Sequence, residues 1–188
     1  MKKFFSFVFL ILLTYLFSYC QTNQSAPTDT TKTTYEQAEN KETEYTKAET
    51  KTQTTKENDQ TMDKRLKLVN EAQKYLGVPY KYGGTSSTGF DCSGFVYRCA
   101  LDALSIELPH SASKIAACSK RLPNDAKPQI GDFLFFNTTG TGIAHIGIYI
   151  GEGKFVHAAS QGPRIGVIIS SLSENYWKRC FLFYGTIF

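Results

Sequence analysis

Cys92 closes a run of small residues, Gly83-Gly84-Thr85-Ser86-Ser87-Thr88-Gly89-Phe90-Asp91-Cys92-Ser93-Gly94. Directly after it Val96, Cys99, Ala100, Ala103 and Leu104 recur at helical spacing, which puts the thiol at or just before the first turn of a helix. Unpaired N–H groups and the helix dipole favour a thiolate there, the nucleophilic form. They are expected to lower the thiol pKa from its ordinary value of about 8.5. The glycines let a substrate backbone come close. Cys99, Cys118 and Cys180 lie in or beside apolar or helical runs without such an approach and fit the inert, buried behaviour common for cysteine.

A thiol nucleophile needs a base, and the chain holds three histidines, His110, His145 and His157. Two of them fall on one predicted hairpin: the β-branched run Ile143 to Ile150, the turn Gly151-Glu152-Gly153, and a second strand from Lys154 to Ala159. A three-residue turn with Gly153 in the left-handed region would pair Ile150 with Lys154, His157 with Gly147 and His145 with Ala159. Both imidazoles then stand on one face as diagonal neighbours, with rings in reach of each other. A two-residue turn would set them on opposite faces. Gly147 leaves room beside His157. Thiol, base and orienting ring together are the parts of nucleophilic acyl transfer. No Cys-x-x-Cys or His-x-x-x-His pair is present, so neither a metal centre nor another cofactor is expected. His110, in Leu108-Pro109-His110-Ser111, reads as a loop residue near the cleft.

Several blocks carry a family resemblance: Gly77-Val78-Pro79-Tyr80-Lys81-Tyr82-Gly83-Gly84, then Gly89-Phe90-Asp91-Cys92-Ser93-Gly94-Phe95-Val96-Tyr97, Gly131-Asp132-Phe133-Leu134-Phe135-Phe136, Ala144-His145-Ile146-Gly147-Ile148-Tyr149 and Phe155-Val156-His157-Ala158. In this order the stretch from Lys67 to Phe188 resembles the NlpC-type cell-wall cysteine peptidases. The resemblance implies a papain-like α+β fold, with N-terminal helices packed on a central antiparallel sheet. It implies an endopeptidase that cuts the peptide stems of bacterial peptidoglycan, commonly between D-glutamate and a diamino acid. By the same resemblance Cys92 is the nucleophile, His145 the base and His157 the residue that holds the His145 ring. Tyr80 would support the oxyanion together with the Cys92 N–H, and Asp91 and Ser93 match positions that contact the stem peptide. The family usually has Leu-Pro-Arg and a later glutamine where this chain has Leu108-Pro109-His110-Ser111-Ala112-Ser113-Lys114, a departure that touches the substrate pocket rather than the catalytic trio.

Ahead of that domain the chain changes character. Residues 1–20 begin with Met1-Lys2-Lys3 and run through Phe, Leu, Ile and Val to Cys20. That is the pattern of a signal peptide, with an apolar run shorter than the ~20 residues of a spanning helix. Phe17-Ser18-Tyr19-Cys20 resembles a lipoprotein processing site that leaves Cys20 as the lipidated first residue, anchoring an exported protein to a membrane that faces the wall or periplasm. Simple secretion and an uncleaved anchor are the alternatives. Residues 21–62 contain no Leu, Ile, Val, Phe, Trp or Cys, and 13 of the 42 are threonine. Such a segment buries too little apolar surface to offset its ordering entropy and reads as a disordered tether, with a root-mean-square reach of about 35 Å.

Residues 63–188 form the catalytic domain, large enough to bury roughly two-thirds of its unfolded surface. The tether carries −3 and the domain +5 within a chain of net charge +4. No basic-aromatic cluster points to nucleic acid; the expected partner is the peptidoglycan stem. Asp63 to Leu76 is predicted as a helix with Leu66, Val69, Ala72 and Leu76 on one face. The Cys92 helix follows, then a short one over Ser113 to Cys118. Strands are predicted at Asp132 to Phe136, Ile143 to Ile150, Lys154 to Ala159, Gly166 to Ser170 and Arg179 to Ile187. Helices followed by antiparallel strands make an α+β arrangement. Two other functional readings stay open at this level: a related thiol amidase or acyltransferase acting on a different acyl group, and a wall-binding module without activity.

Overall fold

The structure, a computed structural model, describes residues 56–188. The expected signal peptide over 1–20 with its Cys20, and most of the expected tether, lie outside the described residues. Helix α1 runs over residues 56–74, so residues 56–62 are helical where composition assigns them to the tether. A formed turn extends at low cost, one hydrogen bond per residue added. The face of α1 that is buried also differs from expectation. Leu66 and Leu76 are exposed, while Arg65, Leu68, Val69 and Ala72 are buried. Arg65 holds the stripe in place: Nη1 donates to Asp132 Oδ1 at 2.6 Å and to the Ile130 carbonyl at 3.0 Å, and Nη2 donates to Thr186 Oγ1 at 3.2 Å.

A two-residue hairpin, β1 (Thr85–Ser86) and β2 (Gly89–Phe90), folds the glycine-rich loop back on itself and leads into α2 (Cys92–Leu104). Phe95, Val96, Cys99 and Ala100 of α2 are fully buried. The helix ends at Ser105, in the left-handed region at φ 57°. After α3 (Ala112–Cys118) come β3 (Lys120–Arg121), β4 (Phe133–Phe136), β5 (His145–Gly151), β6 (Lys154–Ala159) and β7 (Gly166–Ser171), then α4 (Asn175–Cys180) and β8 (Phe181–Thr186). The six strands from β3 to β8 form one antiparallel sheet in the order β3-β8-β4-β5-β6-β7. This is the expected α+β fold. The last strand differs in extent: Arg179 and Cys180 end α4, a helix of six residues that is too short to show a clear helical period.

Alternation along the strands sorts the core into two layers. Phe133, Phe135, Ile146, Ile148, Val156 and Ala158 pack with α1 and α2, whereas Leu134, Phe136 and Phe155 pack with Trp177 of α4 on the opposite face. Both faces are therefore covered, which is why every residue of β4 is buried. Among the described residues Cys92, Cys99, Cys118 and Cys180 are free thiols.

The Arg65–Asp132 pair joins α1 to the start of β4 and to β8 with almost no solvent exposure, and Asp132 Oδ2 also accepts from the Gln129 N–H at 2.7 Å. Removing one partner strands a buried charge, which costs about 3–5 kcal/mol. Asp132→Ala is expected to lower the free energy of urea unfolding by that amount, whereas loss of the exposed Lys67–Asp63 pair through Asp63→Ala should change it by less than about 1 kcal/mol.

Candidate active site

Cys92 is the first residue of α2, and Asp91 is its N-cap. The Asp91 carboxylate is the hub of this corner. Oδ1 accepts from the Gly94 N–H at 2.7 Å and the Ser93 hydroxyl at 3.0 Å, Oδ2 accepts from the Gly83 N–H at 3.0 Å, and His110 Nε2 bridges both oxygens at 3.0 and 2.9 Å. One carboxylate thus ties together the glycine loop, the helix start and the segment before α3. Burial alone would raise its pKa, but the donors from Gly94, His110 and Ser93 outweigh that and leave it lowered. Gly94 is required here: a Cβ at that position would lie 2.1 Å from the Gly84 carbonyl oxygen and 2.9 Å from His110 Nε2.

The β5–β6 hairpin sets the second half of the site. Glu152 (φ 52°) and Gly153 (φ 69°) are both left-handed, the pattern of a two-residue type I′ turn, and Gly151 rather than Ile150 pairs with Lys154. The expected Ile150–Lys154 pairing is thereby replaced. Uncorrected, that turn would put the two histidines on opposite faces. A bulge between Tyr149 and Gly151 restores the register, so that Tyr149 pairs with Phe155 and Ile148 with Val156. One residue further, His157 stands across from Gly147, where an added Cβ would lie 3.3 Å from the His157 Cβ and 2.7 Å from the Phe155 ring. His145 and His157 end on one face as expected, and the room beside Gly147 is taken mainly by Phe155.

The two rings meet in the interior. His145 Nε2 lies 2.9 Å from His157 Nδ1, and His157 Nε2 lies 3.0 Å from Ser170 Oγ on β7. Trp177 covers both rings, stacked on His145 at 5.3 Å between centroids and edge-on to His157 at 4.7 Å. Burial lowers the pKa of His145 to about 4. It lowers that of His157 as well, where a charged His145 would add repulsion. Both rings are therefore neutral at neutral pH.

The Cys92 sulfur rests against the start of β5. Its hydrogen bond among the described residues goes to the Ala144 carbonyl at 4.0 Å, and no hydrogen bond among those residues joins it to the His145 ring. Burial pushes the thiol up to about 11 and the charge of Asp91 adds to this, while the N–H groups of Ile146, Ser93 and Cys92 itself act in the other direction. Contrary to the expectation from its helix position, the resting thiol is thus harder to ionise than a free one, because desolvation exceeds what the helix start supplies. Tyr80 lies on the same side of the site, bridged to Phe90 through the backbone. Its hydroxyl pKa is raised by burial and then by the neighbouring Cys92, Asp91 and Tyr82.

Cys92, Tyr80, Asp91 and Ser93 therefore gather at the start of α2, and His145 with His157 on the adjoining hairpin. Asp91 and Ser93 are buried and engaged with each other rather than open to the cleft. Three neighbours escaped the sequence reading. His110 was placed near the cleft but not on Asp91, Ser170 carries no motif, and Trp177 sits on the short helix read as coil and strand. The only local signal for Trp177 is that it is the single tryptophan of the chain.

A thiol at the N-terminus of a helix, packed against an antiparallel sheet that carries a histidine pair, defines a papain-like cysteine-hydrolase fold. The chain belongs to the NlpC/P60 family, whose model matches residues 77–185. It is similar to the probable peptidoglycan endopeptidase LytE of Bacillus subtilis, 42% identical over 116 residues that make up 62% of this chain and 32% of that protein. It is also similar to the gamma-DL-glutamyl hydrolase of the same organism, 49% identical over 114 residues, 59% of this chain and 26% of that one. Among solved structures, a Staphylococcus aureus protein described as similar to a lipoprotein of the NLP/P60 family superposes with a TM-score of 0.57 at 32% identity, covering 66% of this chain and 41% of that one. The match thus spans about a third or less of the two Bacillus subtilis relatives.

The buried histidines make folding pH-dependent. Between pH 6.5 and about 4 the unfolded chain takes up a proton that folded His145 refuses, so their contribution to stability is complete above pH 6.5 and is lost as the pH falls through that window. Urea midpoints measured at steps from pH 7 to 4 are expected to fall, with a shallower slope in a His145→Gln variant.

Proposed function

We propose that this protein is a cysteine endopeptidase that hydrolyses the peptide stems of bacterial peptidoglycan, at the bond between D-glutamate and the following diamino acid. The observation that carries this reading is the placement of Cys92 at the first turn of α2 against the strand that carries His145, with His145 bonded to His157. Support for peptidoglycan as the substrate comes from the similarity to LytE, a probable peptidoglycan endopeptidase, and support for cleavage beside a glutamyl residue from the similarity to a gamma-DL-glutamyl hydrolase.

In this reading the resting pair is a neutral thiol and a neutral imidazole rather than a standing ion pair. His145 takes the Cys92 proton through Nδ1 as sulfur attacks the stem carbonyl, and the resulting imidazolium is held by His157. The oxyanion is met by the Cys92 N–H and the Tyr80 hydroxyl. The proton then passes to the leaving amine, and water, deprotonated by His145, releases the acyl group. Asp91 and Ser93 hold the helix start; contact between Asp91 and a stem-peptide amine would displace His110, whose side chain is 33% exposed. The reaction in this reading calls for no metal or other cofactor. The domain works on the wall, away from nucleic acid, held by a lipid on Cys20 and the tether that follows it.

Cys92→Ala is expected to abolish release of new amino termini from defined muropeptides while keeping the melting temperature of the parent. His145→Ala should be nearly as damaging, and His157→Gln milder. Mass spectrometry that finds acyl transfer or deamidation products instead of stem cleavage would move the assignment to an amidase or transferase. Wild-type turnover by Cys92→Ala would end it. For the anchor, Cys20→Ala is expected to shift the protein from the membrane pellet to the soluble fraction.

A further inference from the structure

His157 cannot orient His145 unless its own proton is placed, and its second nitrogen has one partner. His157 is fully buried and Ser170 is 5% exposed. Ser170 Oγ is 3.0 Å from His157 Nε2 and makes no other hydrogen bond among the described residues. Trp177 and Phe155 close over the His157 ring at 4.7 and 5.0 Å between centroids, so water has little access to that nitrogen.

We propose that Ser170 is a positioning residue that keeps the productive tautomer of the histidine pair accessible, its hydroxyl oxygen accepting the His157 Nε2–H so that His157 Nδ1 is left to accept from His145 Nε2–H. This inference rests on the reading of His145 as the base. In that arrangement His145 Nδ1 carries no proton and is ready for the one on Cys92. When it takes that proton, every N–H of the pair directed into the interior still has an acceptor: His145 Nε2–H on His157 Nδ1, and His157 Nε2–H on Ser170 Oγ. The opposite arrangement, with protons on both Nδ1 atoms, satisfies the same bonds through the serine hydroxyl as donor but leaves His145 unable to act as a base at Nδ1. Without the hydroxyl, a bare Nε2 on His157 is the less costly orphan than a buried unpaired N–H. Loss of Ser170 should therefore drive both rings to the Nδ1–H form. The sequence offers no motif for this residue; only the pairing of β6 with β7, which sets Ile168 across from His157 and Ser170 two residues along on the same face, reveals it.

The test is to observe the imidazole nitrogens of the full chain, labelled with ¹⁵N-histidine, by long-range ¹H–¹⁵N spectroscopy at pH 7, alongside steady-state kinetics on muropeptides. The parent is expected to show a population with Nε2–H on both His145 and His157. Ser170→Ala is expected to show Nδ1–H on both, with kcat reduced by about tenfold or more and KM nearly unchanged, as for a base held in the wrong tautomer. Ser170→Thr, which keeps the hydroxyl, should restore the spectrum and most of kcat. Should the alanine variant not fold, Ser170→Cys carries the same test, since a thiol is a poor acceptor. An alanine or cysteine variant that keeps Nε2–H on both rings would overturn the proposal. A tautomer shift in a chain that cuts no wall peptide would leave it standing and defeat the catalytic reading instead.

Discussion

The 2.9 Å contact between two buried imidazoles is the constraint that the rest of the site depends on, and it exists because of one extra residue in a strand. The type I′ turn at Glu152-Gly153 matches the twist of a hairpin but, with regular pairing, would send His145 and His157 to opposite faces of the sheet. The bulge between Tyr149 and Gly151 shifts the register by one and brings them together. Ile150 is the extra residue. A hairpin of the same length without it would keep its hydrogen bonds and its apolar layers out of step.

Burial then decides the electrostatics. With Trp177 stacked on His145 and the sulfur of Cys92 withdrawn against β5, desolvation penalises every charged form in the site, which raises the thiol to about 11 and lowers the base to about 4. The helix start supplies N–H groups to the sulfur, yet their effect is smaller. Charge separation in such a place is costly until an oxyanion forms to balance the imidazolium, so in the proposed mechanism ionisation and attack belong to one step.

The fold class and the residues that gather at the candidate site were legible in the sequence because they follow from local rules. Cys92 after a glycine run and before a helical period, and two histidines on strands flanking a glycine turn, are signals carried by a few adjacent residues. What escaped was tertiary. The buried stripe of α1 turned by one residue because Arg65 found Asp132, 67 positions away. Ser170 and Trp177 reach the histidines only through strand pairing and a six-residue helix. The thiol pKa was read from the helix end, whereas the packing around Cys92, invisible in the sequence, governs it.

The site is assembled from two bodies of structure that the chain could otherwise place independently. Asp91 gathers the glycine loop, the start of α2 and His110, and the hairpin carries the imidazoles. Their mutual position is held by the apolar layer in which Phe95, Val96 and Cys99 of α2 pack with Ile146, Ile148 and Val156 of the sheet. Ile146 and Val156 each neighbour a histidine in sequence while their side chains point to the opposite face. Alternation along β5 and β6 therefore gives every second residue to α2 and the rest to the layer that holds the histidines and Trp177, so the packing that aligns sulfur with strand and the pairing that aligns ring with ring are two faces of the same hairpin. A side chain too large at Ile146 or Val156 would not touch the histidines, but it would lift α2 and carry Cys92 away from them.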